Sequence, residues 1–130
     1  MSRAGKILTV DLTDGSIEKV PTARYARDYI GGPAIGARLI YEHVSPGVRG
    51  KDPENMLTIN TGPLTGTLLG NKCNIMAKSP KMTNSTLVTA GMGGQLPSEI
   101  KFAGYDNIAI TGKADGPVYL FIENERVEIR

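Results

Sequence analysis

Cysteine and histidine are almost missing from this 130-residue chain, where Cys73 and His43 each stand alone. A lone cysteine excludes an internal disulfide, a Cys-x-x-Cys metal site and an iron–sulfur cluster held by this chain's own thiolates. With one histidine, and no ligand spacing among Cys73, His43 and the scattered carboxylates, a zinc site or a Ser-His-Asp triad lacks members. Charge of one sign is scarce too: 15 basic residues face 13 acidic ones without a long block of either. That balance points away from nucleic acid and from a membrane-surface helix. No apolar run approaches the roughly 20 residues of a membrane span. Met1-Ser2-Arg3-Ala4-Gly5-Lys6 lacks the apolar core of a signal peptide, so the expected location is cytoplasmic. At 40% apolar, the chain has enough material for one domain with a real core and too little for two.

Glycine is what the chain has in quantity, 16 residues, and it gathers in two loops. Thr61-Gly62-Pro63-Leu64-Thr65-Gly66-Thr67 follows the β-branched run Leu57-Thr58-Ile59, and Ala90-Gly91-Met92-Gly93-Gly94 follows Thr86-Leu87-Val88-Thr89. Glycine removes the Cβ that keeps a ligand off the main chain, so strands ending in such loops offer their backbone for close approach. Pro97-Ser98-Glu99 and a helical Ile100-Lys101-Phe102-Ala103 come next, and a helix start beside bare amides is a natural anion site. Neither loop is a standard nucleotide motif. The third glycine of G-x-G-x-x-G would fall on Leu96, and Lys72 is not preceded by glycine as a P-loop lysine is.

In chain order, Lys6 to Leu12 and Ser16 to Val20 form a hairpin around Thr13-Asp14-Gly15. Thr22 caps a helix running through Tyr29, Gly31-Gly32 interrupts it, and Pro33 opens a second helix with Ile35, Leu39 and Ile40 on its core face. His43 falls at that helix's end, where a lone histidine ordinarily meets the dipole and solvent. Val44 to Glu54 is a surface connection. Met56 to Asn60 is a buried strand, and Lys72 to Lys78 is a strand with Cys73, Ile75 and Ala77 on one face. Its other face carries Lys72, Asn74, Met76 and Lys78, open to either a ligand or solvent. Ser85 to Ala90 leads into the second glycine loop, Ile108 to Thr111 is a short strand, and Val118 to Arg130 is a closing hairpin. The predicted fold class is α+β: a mainly antiparallel sheet with hairpins at both ends and two or three short helices, in a single domain over residues 1–130. Because the last strand runs to the final residue, a boundary inside a larger protein is expected.

The blocks Gly5 to Gly15, Tyr29-Ile30-Gly31-Gly32 with Ile35-Gly36-Ala37, Ser45-Pro46-Gly47-Val48 and Pro53-Glu54-Asn55 then acquire a meaning together. With Gly62-Pro63-Leu64-Thr65-Gly66-Thr67, Lys78-Ser79-Pro80, Lys101-Phe102-Ala103-Gly104-Tyr105-Asp106 and Gly112-Lys113-Ala114, the sequence resembles the N-terminal domain of the tungsten- or molybdenum-pterin aldehyde:ferredoxin oxidoreductases. The blocks keep family order over nearly the whole chain. The resemblance implies full-length relatives several times longer, which oxidise aldehydes to carboxylic acids and pass electrons through a 4Fe-4S cluster to ferredoxin. It implies that this domain is a platform for two pterin dithiolenes, a tungstopterin or molybdopterin with a bridging magnesium, and that the cluster cysteines lie in later domains. The expected partners are those remaining domains or a larger subunit, ferredoxin for the whole enzyme, and a second copy of the chain. Alone, the fragment is expected to be inactive.

Carried over residue by residue, the family's pterin-contacting arginine falls on Lys72 and its following asparagine on Asn74. Lysine keeps the positive charge but loses the planar fork. The family's Asn-Ser-Gly-Gly loop becomes Gly91-Met92-Gly93-Gly94, so the resemblance implies cofactor-binding roles for Lys72, Asn74, Gly91, Gly93 and Gly94. The main-chain carbonyl that relatives lend to magnesium falls on Gly91, and Gln95 and Leu96 replace bulky aromatics after the loop. No catalytic acid or base is assigned: Glu99 and Asp106 read as capping or locally paired carboxylates. The rival reading is a non-catalytic, stand-alone binding or assembly subunit derived from the same domain.

Overall fold

Two long-range contacts define the architecture: β1 (Lys6–Asp11) pairs in parallel with β6 (Asn107–Thr111), and α2 (Pro33–His43) lies across the sheet they centre. A computed structural model describes residues 3–82 and 86–130. Ser85, the expected start of the strand into the second glycine loop, lies outside the described residues, as does Met1-Ser2. The remaining elements are β2 (Ile17–Pro21), α1 (Ala23–Ala26), β3 (Leu57–Thr61), β4 (Cys73–Lys78), β5 (Leu87–Met92), α3 (Leu96–Phe102), β7 (Leu120–Glu123) and β8 (Arg126–Ile129). Six strands make one sheet in the order β2-β1-β6-β3-β4-β5, and β7-β8 form a separate hairpin. Every pairing but β1–β6 is antiparallel, so the expected α+β class holds.

Strand alternation sorts the side chains onto two faces. Ile7, Met56, Met76 and Ala109 pack beneath Ile35, Leu39 and Ile40 of α2, the residues the helical period had placed there. On the opposite face Leu8, Val10 and Ile108 pack with Ile100 and Tyr105, and the β7-β8 hairpin closes over them. Tyr105, 1% exposed, anchors that hairpin by donating its hydroxyl to the Asn124 carbonyl at 2.8 Å.

The first helix is shorter than the sequence suggests. Thr22 makes no side-chain cap. Its hydroxyl donates instead to Asp106 Oδ2 at 2.8 Å, and a tertiary partner thereby outcompetes the local one. After Ala26 the chain turns, with Asp28 and Tyr29 amides both bonding the Tyr25 carbonyl. Gly31 at φ 138° and Gly32 at φ 59° then redirect it. The close fit explains their glycines: a Cβ on Gly32 would stand 3.6 Å from Gly62 Cα, and one on Gly31 would stand 3.2 Å from Pro63 Cδ. The glycine pair ahead of α2 is thus packed against the first glycine loop.

The two-faced reading of β4 needs a correction. The alternation is as expected, but Met76 is buried in the α2 core. Lys78 donates from Nζ to the carbonyls of Ser45 at 2.8 Å, Pro46 at 3.1 Å and Val48 at 3.0 Å. That face is therefore interior along most of β4, because α2 and the connection after it lie on top of it. Only the Lys72-Asn74 end is free to meet anything else.

Candidate functional site

The antiparallel order β3-β4-β5 brings the end of β3, the start of β4 and the end of β5 to one edge of the molecule. Both glycine loops therefore meet there. In the β4–β5 ladder Asn74 lies opposite Gly91 and Cys73 opposite Met92, so Lys72 sits beside the Gly93 turn. The five residues expected to hold a cofactor, Lys72, Asn74, Gly91, Gly93 and Gly94, form a single patch.

The first loop is shaped by its own threonines. Thr65 Oγ1 accepts from the Gly62 amide at 3.0 Å and donates to the Lys72 carbonyl at 2.8 Å. That pair fixes the main chain at Lys72 while its side chain stays exposed. None of the ion pairs among the described residues involves Lys72. Gly66, at φ 78°, lies against α3, where a Cβ would stand 3.6 Å from Phe102 and 3.8 Å from Ser98 Cα.

The second loop is bare. A Cβ built on Gly91 or Gly94 meets nothing within 4 Å, and one on Gly93 meets only the Asn71 carbonyl at 3.8 Å. Gly94 holds φ 83°, a conformation that side chains other than glycine rarely adopt. Asn74 donates from Nδ2 to Thr89 Oγ1, and its main-chain carbonyl accepts from Asn60 Nδ2 at 3.1 Å. Asn71 Oδ1 and Asn74 Oδ1 are both buried without a hydrogen-bond partner, and these orphaned acceptors flank Lys72. The exposed Lys72 cation beside open main chain is a donor set that fits a phosphate group.

The helix start is a weaker contributor than its sequence suggests. α3 has 7 residues, a proline in its first turn and no side-chain cap. It supplies few free amides. Among the described residues no group of three or more His, Cys, Asp or Glu side chains converges, so the side chains described here present no metal-ligand set.

Sequence reasoning missed Asn71. Its Nδ2 donates to the Gly94 carbonyl and, at 3.3 Å, to Ser98 Oγ, tying the first loop to the second and to α3. The signal available was its place, an amide side chain between Gly70 and Lys72 at a strand start. Asp106 proves structural. It is 3% exposed and accepts from the Ala4 amide at 2.9 Å, the Gly5 amide at 2.8 Å, Thr22 Oγ1 and the Lys101 ammonium. Burial opposes its charge, but those four donors prevail and hold the carboxyl below the usual aspartate range. Cys73 is buried as well, and burial pushes its thiol up from the ordinary value, so it is an inert core residue.

Elsewhere an apolar-floored cavity of about 720 Å³ opens over β1 and α2, lined by Ile7, Val20, Leu39 and Met56 with His43 and Glu54 at its polar edge. His43 ends α2 exposed, as expected. Neither feature adjoins the glycine loops.

Comparison with known proteins follows the same outline. Residues 7–130 match the model of the aldehyde ferredoxin oxidoreductase N-terminal domain. A tungsten-containing aldehyde ferredoxin oxidoreductase of Pyrococcus abyssi is 43% identical over 129 residues, covering 97% of this chain and 21% of that protein. The WOR-like subunit of an aliphatic sulfonate oxidoreductase of Pyrococcus furiosus is 41% identical, covering 97% of this chain and 20% of that protein. Among solved structures, the active-site complex BamBC of benzoyl coenzyme A reductase with 1,5-dienoyl-CoA superposes with a TM-score of 0.92 at 39% identity, over 99% of this chain and 20% of that one. The chain thus spans about a fifth of the length of the relatives it matches.

Proposed function

The chain belongs to the aldehyde ferredoxin oxidoreductase N-terminal domain family, and from that membership we propose that it is the first part of a cofactor platform in a larger oxidoreductase. The observation that carries this reading is the convergence of both glycine loops on Lys72 and Asn74 at one sheet end. When bound, a tungsto- or molybdo-bispterin would supply the redox chemistry, and the protein supplies position and electrostatics.

In that role Lys72 meets a pterin phosphate as a point charge rather than a fork. Gly91, Gly93 and Gly94 let the phosphate reach the main chain because no Cβ stands in the way. Asn74 braces the strand opposite Gly91, and the Gly91 carbonyl is the candidate magnesium ligand. In the same reading the 4Fe-4S cluster and the contact with ferredoxin fall to further domains, for which a protein as long as the relatives, about five times the matched length, has room. The fragment alone therefore turns nothing over.

In keeping with the family's name, the activity proposed for the whole protein is oxidation of aldehydes to carboxylic acids with ferredoxin as acceptor. A second reading, another substrate on the same platform, is favoured by one observation: the sulfonate and benzoyl-CoA relatives match at 41% and 39%, within a few per cent of the aldehyde enzyme at 43%. Substrate choice then lies outside these 130 residues.

Metal and pterin analysis of the natively expressed full-length product tests the platform. Tungsten or molybdenum with pterin is expected, and Lys72→Ala should lower the pterin content. A product that lacks both metals and pterin, or whose reading frame stops at Arg130, turns the assignment toward the stand-alone assembly subunit.

A further inference from the structure

The segment 93–95 lies between β5 and α3 and belongs to neither. Its shape is imposed from outside, and the geometry points to Asn71 as the residue that imposes it: we infer that Asn71 is a positioning residue which sets the second glycine loop against Lys72. One amide group reaches two segments. Asn71 Nδ2 donates to the Gly94 carbonyl and to Ser98 Oγ, and Ser98 Oγ in turn donates to the Gln95 carbonyl at 2.7 Å. Asn71's own carbonyl faces Gly93. Residues 94, 95 and 98 are thereby fixed to the residue that immediately precedes Lys72 in the chain.

This matters for binding because an anion held by Lys72 and by loop amides needs both at once. A loop that wanders must be ordered at each encounter, and that ordering weakens affinity. The side chain is used on one side only, since its Oδ1 is buried without a donor. Aspartate, the same shape without the N–H, therefore loses the brace and sets a carboxylate against the Gly94 carbonyl. Glutamine keeps the donor at a different reach. The brace is read from geometry alone, and the identity of its ligand as a phosphate group rests on the platform reading above.

The test uses the 130-residue chain with inorganic pyrophosphate as probe, followed by amide NMR. In the unmodified chain, Gly93 and Gly94 are expected to show order parameters near ~0.85, falling below ~0.6 in Asn71→Ala and Asn71→Asp. Pyrophosphate should shift the Gly91, Gly93 and Gly94 amides saturably, with affinity about tenfold weaker in both variants. Asn71→Gln should recover part of that loss. Lys72→Ala should weaken binding while leaving the loop ordered, which separates the cation from the brace. Loop order unchanged in Asn71→Ala overturns the inference. If the variants do not fold, slow exchange of the Asn71 side-chain amide protons in the unmodified chain supports it, and exchange at the free-amide rate overturns it. A loop loosened by Asn71→Ala in a chain that binds no pyrophosphate upholds the brace and refutes the phosphate shelf.

Discussion

Asp106 shows how a single buried charge organises distant pieces of chain. Its carboxylate gathers the N-terminal amides of Ala4 and Gly5, the Thr22 hydroxyl and Lys101, whose own side chain is 7% exposed. Asp106→Ala leaves the Lys101 ammonium buried and alone, and should destabilise the chain by about 3 to 5 kcal/mol in chemical denaturation. A loss under about 1 kcal/mol would contradict this account. The pH dependence has a definite sign. Because its folded value is depressed, the contribution of Asp106 is complete above the unfolded aspartate value of about 3.9 and fades as pH falls through the folded one. Acid unfolding should therefore begin below about pH 4, and Asp106→Asn should flatten that limb. Glu125 makes a different, local case. Lys19 and then Lys6 hold its exposed carboxyl down at about 2, against an ordinary glutamate near ~4.3. Side-chain carbon NMR should place its midpoint near 2, and a midpoint near ~4 would mean that these ion pairs do not persist in solution.

Among the elements, α2 is seated by a polar contact that its apolar stripe does not announce. Gly36 faces Asn60, and a Cβ there would fall inside the Asn60 amide. Asn60 in turn accepts from Asn107 Nδ2 at 2.8 Å and donates to Thr58 Oγ1 at 3.0 Å and the Asn74 carbonyl. Alanine is the better helix former by about 1 kcal/mol, yet Gly36→Ala should still cost about 1 to 3 kcal/mol net because the buried amide cannot step aside. Pairing it with Asn60→Ala removes the clash, so the double variant should be less destabilised than the two single losses summed. Strict additivity would show that the contact is slack. At the other extreme stands β5, an edge strand whose residues from Leu87 to Gly91 are exposed on both faces. Native-state hydrogen exchange should find residues 87–92 opening at lower free energy than β1 or β6. Equal protection would require a cover that the monomer does not provide.

For the whole molecule, the sheet is finished at one end and unfinished at the other. α3 and the β7-β8 hairpin cover the β1-β6 region, whereas Ala90 and Val88 of β5 continue the apolar rows of Ile59, Ile75 and Ala77 into solvent. Leu57 and Val88 are 39% and 42% exposed. Contiguous apolar surface of this kind associates. Sedimentation velocity on the isolated chain should show concentration-dependent self-association, reduced by Val88→Lys. A monomer at high concentration would mean that the surface is self-sufficient.

Local rules settled much in advance. Alternation and turn chemistry marked both hairpins, the helical period put Ile35, Leu39 and Ile40 inward, and the order of sequence blocks pointed to the family before any contact was known. Those features depend on neighbours a few residues apart, which a sequence displays directly. What only the tertiary structure decided depends on residues far apart in the chain: Thr22 turned from capping to Asp106, Met76 and Lys78 covered by α2 and its connection, Asn71 reaching Gly94 and Ser98. A hydroxyl or amide has several partners within its chemistry, and the folded geometry, by bringing one of them within 3 Å or so, makes the choice.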